Sequence, residues 1–338
     1  MKTAKISASA LADWQEILAD NGLEFEDARR NADVRKLTNT TDESRGVGLA
    51  NFVELLEEAG VAFAKSSLAW GAGLTSDYRT RGMVGHAVAS AKTLGMGLRR
   101  LSKYFPLIQD ETSLKLNVGP ELTTLSYKIL DPDIWPRHED AMYSLGLYAN
   151  LIRCAAPDIW HQVEITIEAD QNATKADVAN IVHANVVYGG QSNNIAFPTA
   201  ALDAPLELAP TAGTCLLKDL SFALAEKRRN APMEARAREK IFEELDDGNI
   251  SQDHIARELG VSSRTLRRKL AAKNLSYQDI LDDCRMRVAA LEFKLQKTVS
   301  ISEVALKLGY SEHSTFSRAF ARWAGMAPQD YRRSLVMH

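Results

Sequence analysis

Cysteine is scarce. The 338 residues hold three, Cys154, Cys215 and Cys284, far apart and without CxxC spacing. That argues against a zinc site and a disulfide framework and fits a reducing cytosol. The thiols read as free core side chains, with Cys154 or Cys215 alternatively lining a pocket. Long apolar runs are missing too: none approaches the roughly 20 residues that span a bilayer. The start, Met1-Lys2-Thr3-Ala4-Lys5, is basic but has no apolar core, so no export signal is expected. A cytoplasmic protein without a membrane partner is the expectation. No phosphate-binding glycine loop, metal-spaced His/Cys cluster or nucleophile elbow occurs, and His161 and His183 have no local partner pattern. No catalytic residue, metal or cofactor is therefore expected, and an enzyme has little support.

What is present is an ordinary globular composition, 45% hydrophobic and 25% charged, long enough for two domains. The net charge of −3 hides a split. Residues 251–338 carry 15 Lys and Arg against 9 Asp and Glu, and the rest of the chain 26 against 35. A basic C-terminal module on an acidic body fits nucleic-acid binding by that module.

The most informative stretch runs from Ser300 to Arg332 and reads as helix, tight turn, helix. Ser300 and Glu303 have capping-box spacing, and Val304, Ala305 and Leu308 share a helical face. Gly309 ends that helix, and Ser311 is positioned to cap the next. Phe316, Phe320 and Trp323 then fall on a buried side, leaving His313, Ser314, Ser317 and Arg318 on another. The pattern recurs about fifty residues upstream: Ser251, Ile255, Ala256, Leu259 and Gly260 match Ser300, Val304, Ala305, Leu308 and Gly309. After a turn one residue shorter, Leu266, Arg268 and Leu270 match Phe316, Arg318 and Phe320. Two helix-turn-helix units result. Between them, Ser276 to Gln296 contains no Gly or Pro and reads as one helix with Ile280, Leu281, Cys284, Val288 and Leu291 inward. A rod of about 30 Å suits two recognition helices in adjacent major grooves about 34 Å apart. The exposed sides would then read DNA: Arg264, Thr265, Arg267 and Arg268 on the first helix, and His313, Ser314, Ser317 and Arg318 on the second. Arginine reads guanine bidentately, and each of these side chains could instead contact phosphate.

Residues 234–333 resemble the DNA-binding domain of the AraC/XylS family of bacterial transcription regulators. The matching motifs are the two units, the helix between them, Leu308-Gly309-Tyr310-Ser311-Glu312, Phe316-Ser317-Arg318-Ala319-Phe320 and Gly325-Met326-Ala327-Pro328-Gln329-Asp330-Tyr331-Arg332. Laid on the family pattern, the base-reading positions fall on Arg264, Arg267, Arg268, His313, Ser314 and Arg318.

The N-terminal part reads as α/β. A helix is expected over residues 8–30, with Leu11, Trp14 and Leu18 on one side and Gly22 as a stop. Leu49, Phe52, Val53 and Leu56 mark a second helix ended by Gly60, with residues 60–70 continuing as helix and Gly71-Ala72-Gly73 breaking it. His86–Gln109 reads as one long helix in which Gly95 and Gly97 mark close packing. Thr112–Val118 and Leu122–Leu130 alternate as a hairpin. A helix over 137–154, a strand Val163–Glu168, a short helix over 174–184 and a strand Asn194–Pro198 follow. This resembles, over roughly residues 10–208, the arabinose-binding-type N-terminal domain of AraC-family regulators. The fold class is thus an α/β N-terminal effector domain plus an all-α C-terminal domain with two helix-turn-helix units joined by a long helix. The boundaries are 1–208 for effector sensing and dimerisation, 209–233 for a linker, and 234–338 for the DNA-binding domain. The linker holds a short apolar helix, Cys215–Ala225, followed by Lys227-Arg228-Arg229-Asn230, a solvated face or a phosphate contact.

Candidate effector groups are His86, Tyr104, Tyr127, Trp135, Tyr143, Trp160 and His183, although isolated aromatics on apolar faces are more often core. The expected function is a sequence-specific transcription regulator, an activator responding to a small-molecule effector. Double-stranded DNA, the effector, a second copy of the chain and, for an activator, RNA polymerase would be its partners. The alternative is an effector-independent repressor or architectural protein whose N-terminal domain only dimerises.

Overall fold

The computed structural model describes residues 4–11, 14, 17, 46–63, 68–131, 133–169, 178–209, 214–245, 250–295 and 299–336. Two compact units are present: Met1–Ile129 with Ile134–Glu226, and Leu130–Asp133 with Lys227–His338.

In the first unit, β1 (Lys5–Ser7) pairs antiparallel with β2 (Gly46–Gly48). The helix expected over residues 8–30 lies outside the described residues except at three places. Ala8–Leu11 is a 3-10 turn, Trp14 is buried and Ile17 packs on the core. Helix α1 (Leu49–Phe63) buries Leu49, Phe52, Val53 and Leu56 as their spacing predicts. It does not stop at Gly60. A Cβ there would lie 2.6 Å from Glu139 Cδ, so this glycine serves close packing. Helix α2 (Leu68–Thr75) likewise runs straight through Gly71-Ala72-Gly73, where a break was expected. Gly73 faces the helix it packs on, and a Cβ at that position would overlap the Tyr143 carbonyl.

The long helix expected over 86–109 is two, α3 (Gly82–Ala89) and α4 (Leu94–Tyr104). Ser90 folds its hydroxyl back to the His86 carbonyl at 2.7 Å, and Thr93 accepts from the Met96 N–H at 3.2 Å as a new N-cap. Both side chains compete with the helical backbone and end one helix before starting the next. Gly95 and Gly97 do mark close packing: Cβ atoms there would lie 3.0 Å from the Leu202 carbonyl and from Leu206 Cδ2.

The hairpin forms as β3 (Thr112–Val118) and β4 (Leu122–Ile129), with Leu116 opposite Leu125. Helix α5 (His138–Ala155) buries Met142, Leu145, Tyr148, Leu151 and Ile152. Then come β5 (Glu164–Ile167), α6 (Val178–Val182), β6 (Asn185–Tyr188) and β7 (Asn193–Pro198). The described part of the helix expected over 174–184 is α6. The sheet order is β3-β4-β7-β5-β6, antiparallel throughout except for β5 with β6. Strand β6 was not expected: at the sheet edge none of its four residues is fully buried, so the alternation that signals a strand is faint.

Helix α7 (Thr214–Asn230) is longer than the Cys215–Ala225 segment expected. It buries Leu220 and Leu224 against Val84, Ala87 and Tyr104, and Lys227, Arg228 and Arg229 fill its last turn, where cations favour the helix dipole. Of the cysteines, only Cys284 is buried; Cys154 and Cys215 are exposed.

From Met233 onward the described residues form helices only: α8 (Met233–Glu244), α9 (Gln252–Glu258), α10 (Ser263–Ala271), α11 (Tyr277–Leu295), α12 (Ile301–Lys307), α13 (His313–Ala324) and α14 (Pro328–Val336). One core joins them, with Ile241, Ile255, Leu266, Ile280, Phe293 and Phe316 among its members.

Candidate nucleic-acid interface

Each helix-turn-helix is built by the same local chemistry. Ser251 caps α9 by accepting from the His254 N–H at 3.2 Å, and Ser300 caps α12 by accepting from the Glu303 N–H at 3.1 Å. Glu303 returns the contact, accepting from the Ser300 N–H at 2.9 Å, so the predicted capping box is complete. Both first helices end on left-handed glycines, Gly260 at φ 69° and Gly309 at φ 78°. The following N–H closes each end in the same way: Val261 donates to the Ala256 carbonyl at 3.0 Å and Tyr310 to the Ala305 carbonyl at 2.9 Å.

The second helices differ at their starts. Ser262 caps α10, accepting from the Thr265 N–H at 3.1 Å, with the Thr265 hydroxyl 2.9 Å from its own. In α13 the cap residue is Glu312, without a side-chain cap bond, and Ser311, expected to cap, lies one residue outside. The extra residue in the second turn shifts the cap position from Ser311 to Glu312. The Glu312 carboxylate instead accepts from the Ser314 hydroxyl at 3.2 Å.

On α10, Leu266 and Leu270 are fully buried, which turns Arg264, Arg267 and Arg268 to solvent, while Thr265 is half-buried by its role in the cap. The three arginines make no ion pair with a described residue. On α13, burial of Phe316 and Phe320 leaves His313, Ser314 and Arg318 exposed and Ser317 half-buried. Arg318 Nη2 lies 3.5 Å from the Thr315 hydroxyl. Arg322, one turn on, is tied to Asp282 of α11 at 2.8 Å. The eight residues singled out in the sequence therefore lie on the two helices that follow the turns, the first face carrying more positive charge.

Two arginines that the sequence reading passed over hold these units together. Arg236 of α8 donates to the Leu259 carbonyl at 3.1 Å, and Arg285 of α11 donates to the Leu308 carbonyl at 3.0 Å. Their equal spacing from the matched leucines was a signal available in the repeat.

The first unit contains a small, partly open cavity of about 50 Å³. Apolar side chains such as Phe52, Leu101, Phe105 and Leu147 line it together with Arg81, Gln109, Asp140 and Tyr143. Arg81 is buried and donates to the Tyr143 hydroxyl at 2.6 Å and the Ser76 hydroxyl at 3.0 Å. Asp140 accepts from the Tyr127 hydroxyl at 2.7 Å, and burial pushes its carboxyl up to about 7. Of the seven candidate effector groups, Tyr143 lines the cavity and Tyr127 touches it through Asp140. Tyr104 and Trp160 are core residues bonded to Ser221 and the Val182 carbonyl, while His86, Trp135 and His183 are exposed. Among the described residues no group of three or more His, Cys, Asp or Glu could hold a metal, and no helix is long and apolar enough to cross a membrane.

Two successive helix-turn-helix units packed on one helical core define a DNA-binding regulator module. Residues 22–206 match the family described as the arabinose-binding domain of AraC transcription regulator, N-terminal, and residues 255–334 match a helix-turn-helix domain. The chain belongs to the AraC family of DNA-binding transcription regulators. It is 30% identical over 260 residues to an HTH-type transcriptional regulator of Mycobacterium tuberculosis, covering 75% of this chain and 74% of that one. It is 43% identical over 82 residues to the ornithine utilization regulator of Pseudomonas aeruginosa, 24% of each chain. A crystal structure of the transcriptional regulator CdpR from Pseudomonas aeruginosa aligns over 96% of this chain and 98% of its own, at 21% identity and a TM-score of 0.41.

Proposed function

We propose that this regulator reads DNA with α10 and α13 in two adjacent major grooves and acts as an activator controlled by a small-molecule effector. The observation that carries the reading is the repeated unit: both helices show a polar, basic face opposite buried Leu266 and Leu270 or Phe316 and Phe320. Helix α11, with 19 residues, is about 28 Å long, close to the groove repeat of about 34 Å. Arg268 and Arg318 occupy matched positions and are assigned base contacts, with Arg264, Thr265, Arg267, His313, Ser314 and Ser317 completing the interface. The DNA-binding region is taken as 234–338 and the sensing and dimerising region as 1–208, joined by 209–233. A homodimer and, for activation, contact with RNA polymerase belong to the same reading.

The effector is assigned to the cavity around Arg81, Asp140 and Tyr143. Its volume is far below the roughly 300–1,000 Å³ of a typical ligand site, so uptake requires the lining to open. An effector acts only through different affinity for the two states. The small size of the cavity is also what favours the second reading, in which the first unit only dimerises and no effector is needed. Selection of the full-length protein on random duplex DNA tests the first part; two short motifs about one helical turn apart are expected. A small-molecule screen by thermal shift, repeated on Tyr143→Phe, tests the second. A saturable shift weakened by that substitution supports the cavity, and no shift from any compound supports the dimerisation-only reading.

A further inference from the structure

The repeat extends upstream of both helix-turn-helix motifs. Ser251 and Ser300, Leu259 and Leu308, and Gly260 and Gly309 are each 49 residues apart, and so are Arg236 and Arg285. Arg236 lies on α8, the helix before the first unit, and Arg285 on α11, the helix before the second. Each guanidinium reaches the carbonyl of the residue that closes the first helix of its motif. Helix C-terminal carbonyls lack intrahelical donors and carry partial negative charge, so a cation there is favoured twice over. Ile250 and Val299, also 49 residues apart, pack on the common core just before each cap.

The two fastenings are unequal. Arg285 also lies over the Tyr310 ring at 4.6 Å, and Tyr310 packs edge-on against Phe316 of α13 at 5.6 Å. At the position matching Tyr310 the first unit has Val261, which offers no ring. The second recognition helix is therefore linked to α11 through Arg285, Tyr310 and Phe316, whereas among the described residues Arg236 makes the hydrogen bond without a ring contact.

We infer that Arg236 and Arg285 are paired positioning residues for specificity. Each sets the angle of one turn, and through it the depth at which one recognition helix enters its groove. Neither touches a base. The inference rests on the reading of α10 and α13 as recognition helices.

The test uses the full-length chain and random-duplex selection, with affinity measured over a range of salt concentrations and melting followed alongside. Arg268→Ala and Arg318→Ala first define the bases read by each helix. Arg285→Ala should then blur only the positions that Arg318→Ala blurs, with about a tenfold loss of preference there. Arg236→Ala should blur only the positions assigned to Arg268. The salt dependence should stay unchanged, because no phosphate contact is lost. Lysine can donate to a carbonyl but cannot stack as a plane. Arg236→Lys should therefore restore most of the preference and Arg285→Lys only part. Equal loss at both sets of positions, a shallower salt dependence, or no change in either motif overturns the inference. If Arg268→Ala and Arg318→Ala blur nothing, the recognition reading itself fails, which the alanine variants at 236 and 285 cannot mimic.

Discussion

Ser300 and Glu303 hold each other at the start of α12: the Ser300 hydroxyl accepts from the Glu303 N–H at 3.1 Å, and the Glu303 carboxylate accepts from the Ser300 N–H at 2.9 Å. The backbone and hydroxyl contacts at Ser300 hold the Glu303 carboxyl below its ordinary range. In the first motif His254 stands where Glu303 does, and Ser251 caps by accepting from the His254 N–H.

Removing the hydroxyl should therefore matter at both starts. Ser300→Ala is expected to cost about 1 kcal/mol, and Ser251→Ala a similar or smaller amount. Denaturant unfolding of the full chain, followed on the C-terminal transition, checks this. A neutral Ser300→Ala would mean that packing alone fixes the start of α12.

Glycines of opposite sign sit two residues apart on α2 and across from it on α5. A Cβ on Gly146 would lie 2.5 Å from the Trp70 carbonyl, whereas one on Gly71 meets nothing within 4 Å. Gly146→Ala should destabilise the first unit by about 1–3 kcal/mol through overpacking. Gly71→Ala should stabilise it by up to about 1 kcal/mol through helix propensity. Melting temperatures moving in the same direction for both would contradict the packing assigned to α2 and α5.

Stability should fall between pH 6.5 and 8. Burial pushes the Asp140 carboxyl up to about 7, and burial together with repulsion from Glu57 does the same to Glu139. The Glu57 carboxyl is also raised by burial, although bonds from the Glu139 and His138 backbones oppose the rise. A carboxyl with a folded pKa above its unfolded one stabilises the fold while protonated, and that contribution is lost as pH rises through the folded value. His138 acts the other way: burial holds it down to about 4, so acid below its ordinary 6.5 destabilises. The effects oppose between about 4 and 6.5 and leave only the carboxyls above that. Asp140→Asn keeps an oxygen for the Tyr127 hydroxyl and should flatten the fall in melting temperature from pH 6.5 to 8. A wild-type profile already flat there would show that these carboxyls titrate normally.

Arg268→Ala and Arg318→Ala should each relax specificity at one or two base positions, at about 1–3 kcal/mol. Competition binding against single-base operator variants reads this out. A uniform loss across all sequences, with a shallower salt dependence, would move the residue concerned to a phosphate.

Legibility followed the range of the forces. The hairpin of β3 and β4 was readable because alternation and Gly119-Pro120 lie within twenty residues. Strand β6 was not, because its place at a sheet edge leaves no buried residue to mark it. The apolar stripe across residues 86–109 concealed Ser90 and Thr93, whose side chains divide it into two helices. Ser311 was misplaced as a cap because the insertion in the second turn moved the cap to Glu312. Arg236 and Arg285 were missed because each acts on a carbonyl 23 residues away.

The sequence by itself determined the two helix-turn-helix units. Serine caps, turn glycines and apolar spacing act within one or two helical turns, so the chain carries them at fixed intervals. Tertiary structure alone decided that Gly60 and Gly73 are contact points rather than helix ends, that buried Asp140 and Glu139 lie near Glu57, and that Tyr143 lines a cavity while His86 faces solvent. Those outcomes depend on which distant surfaces meet, and steric overlap and desolvation come into being only when they do.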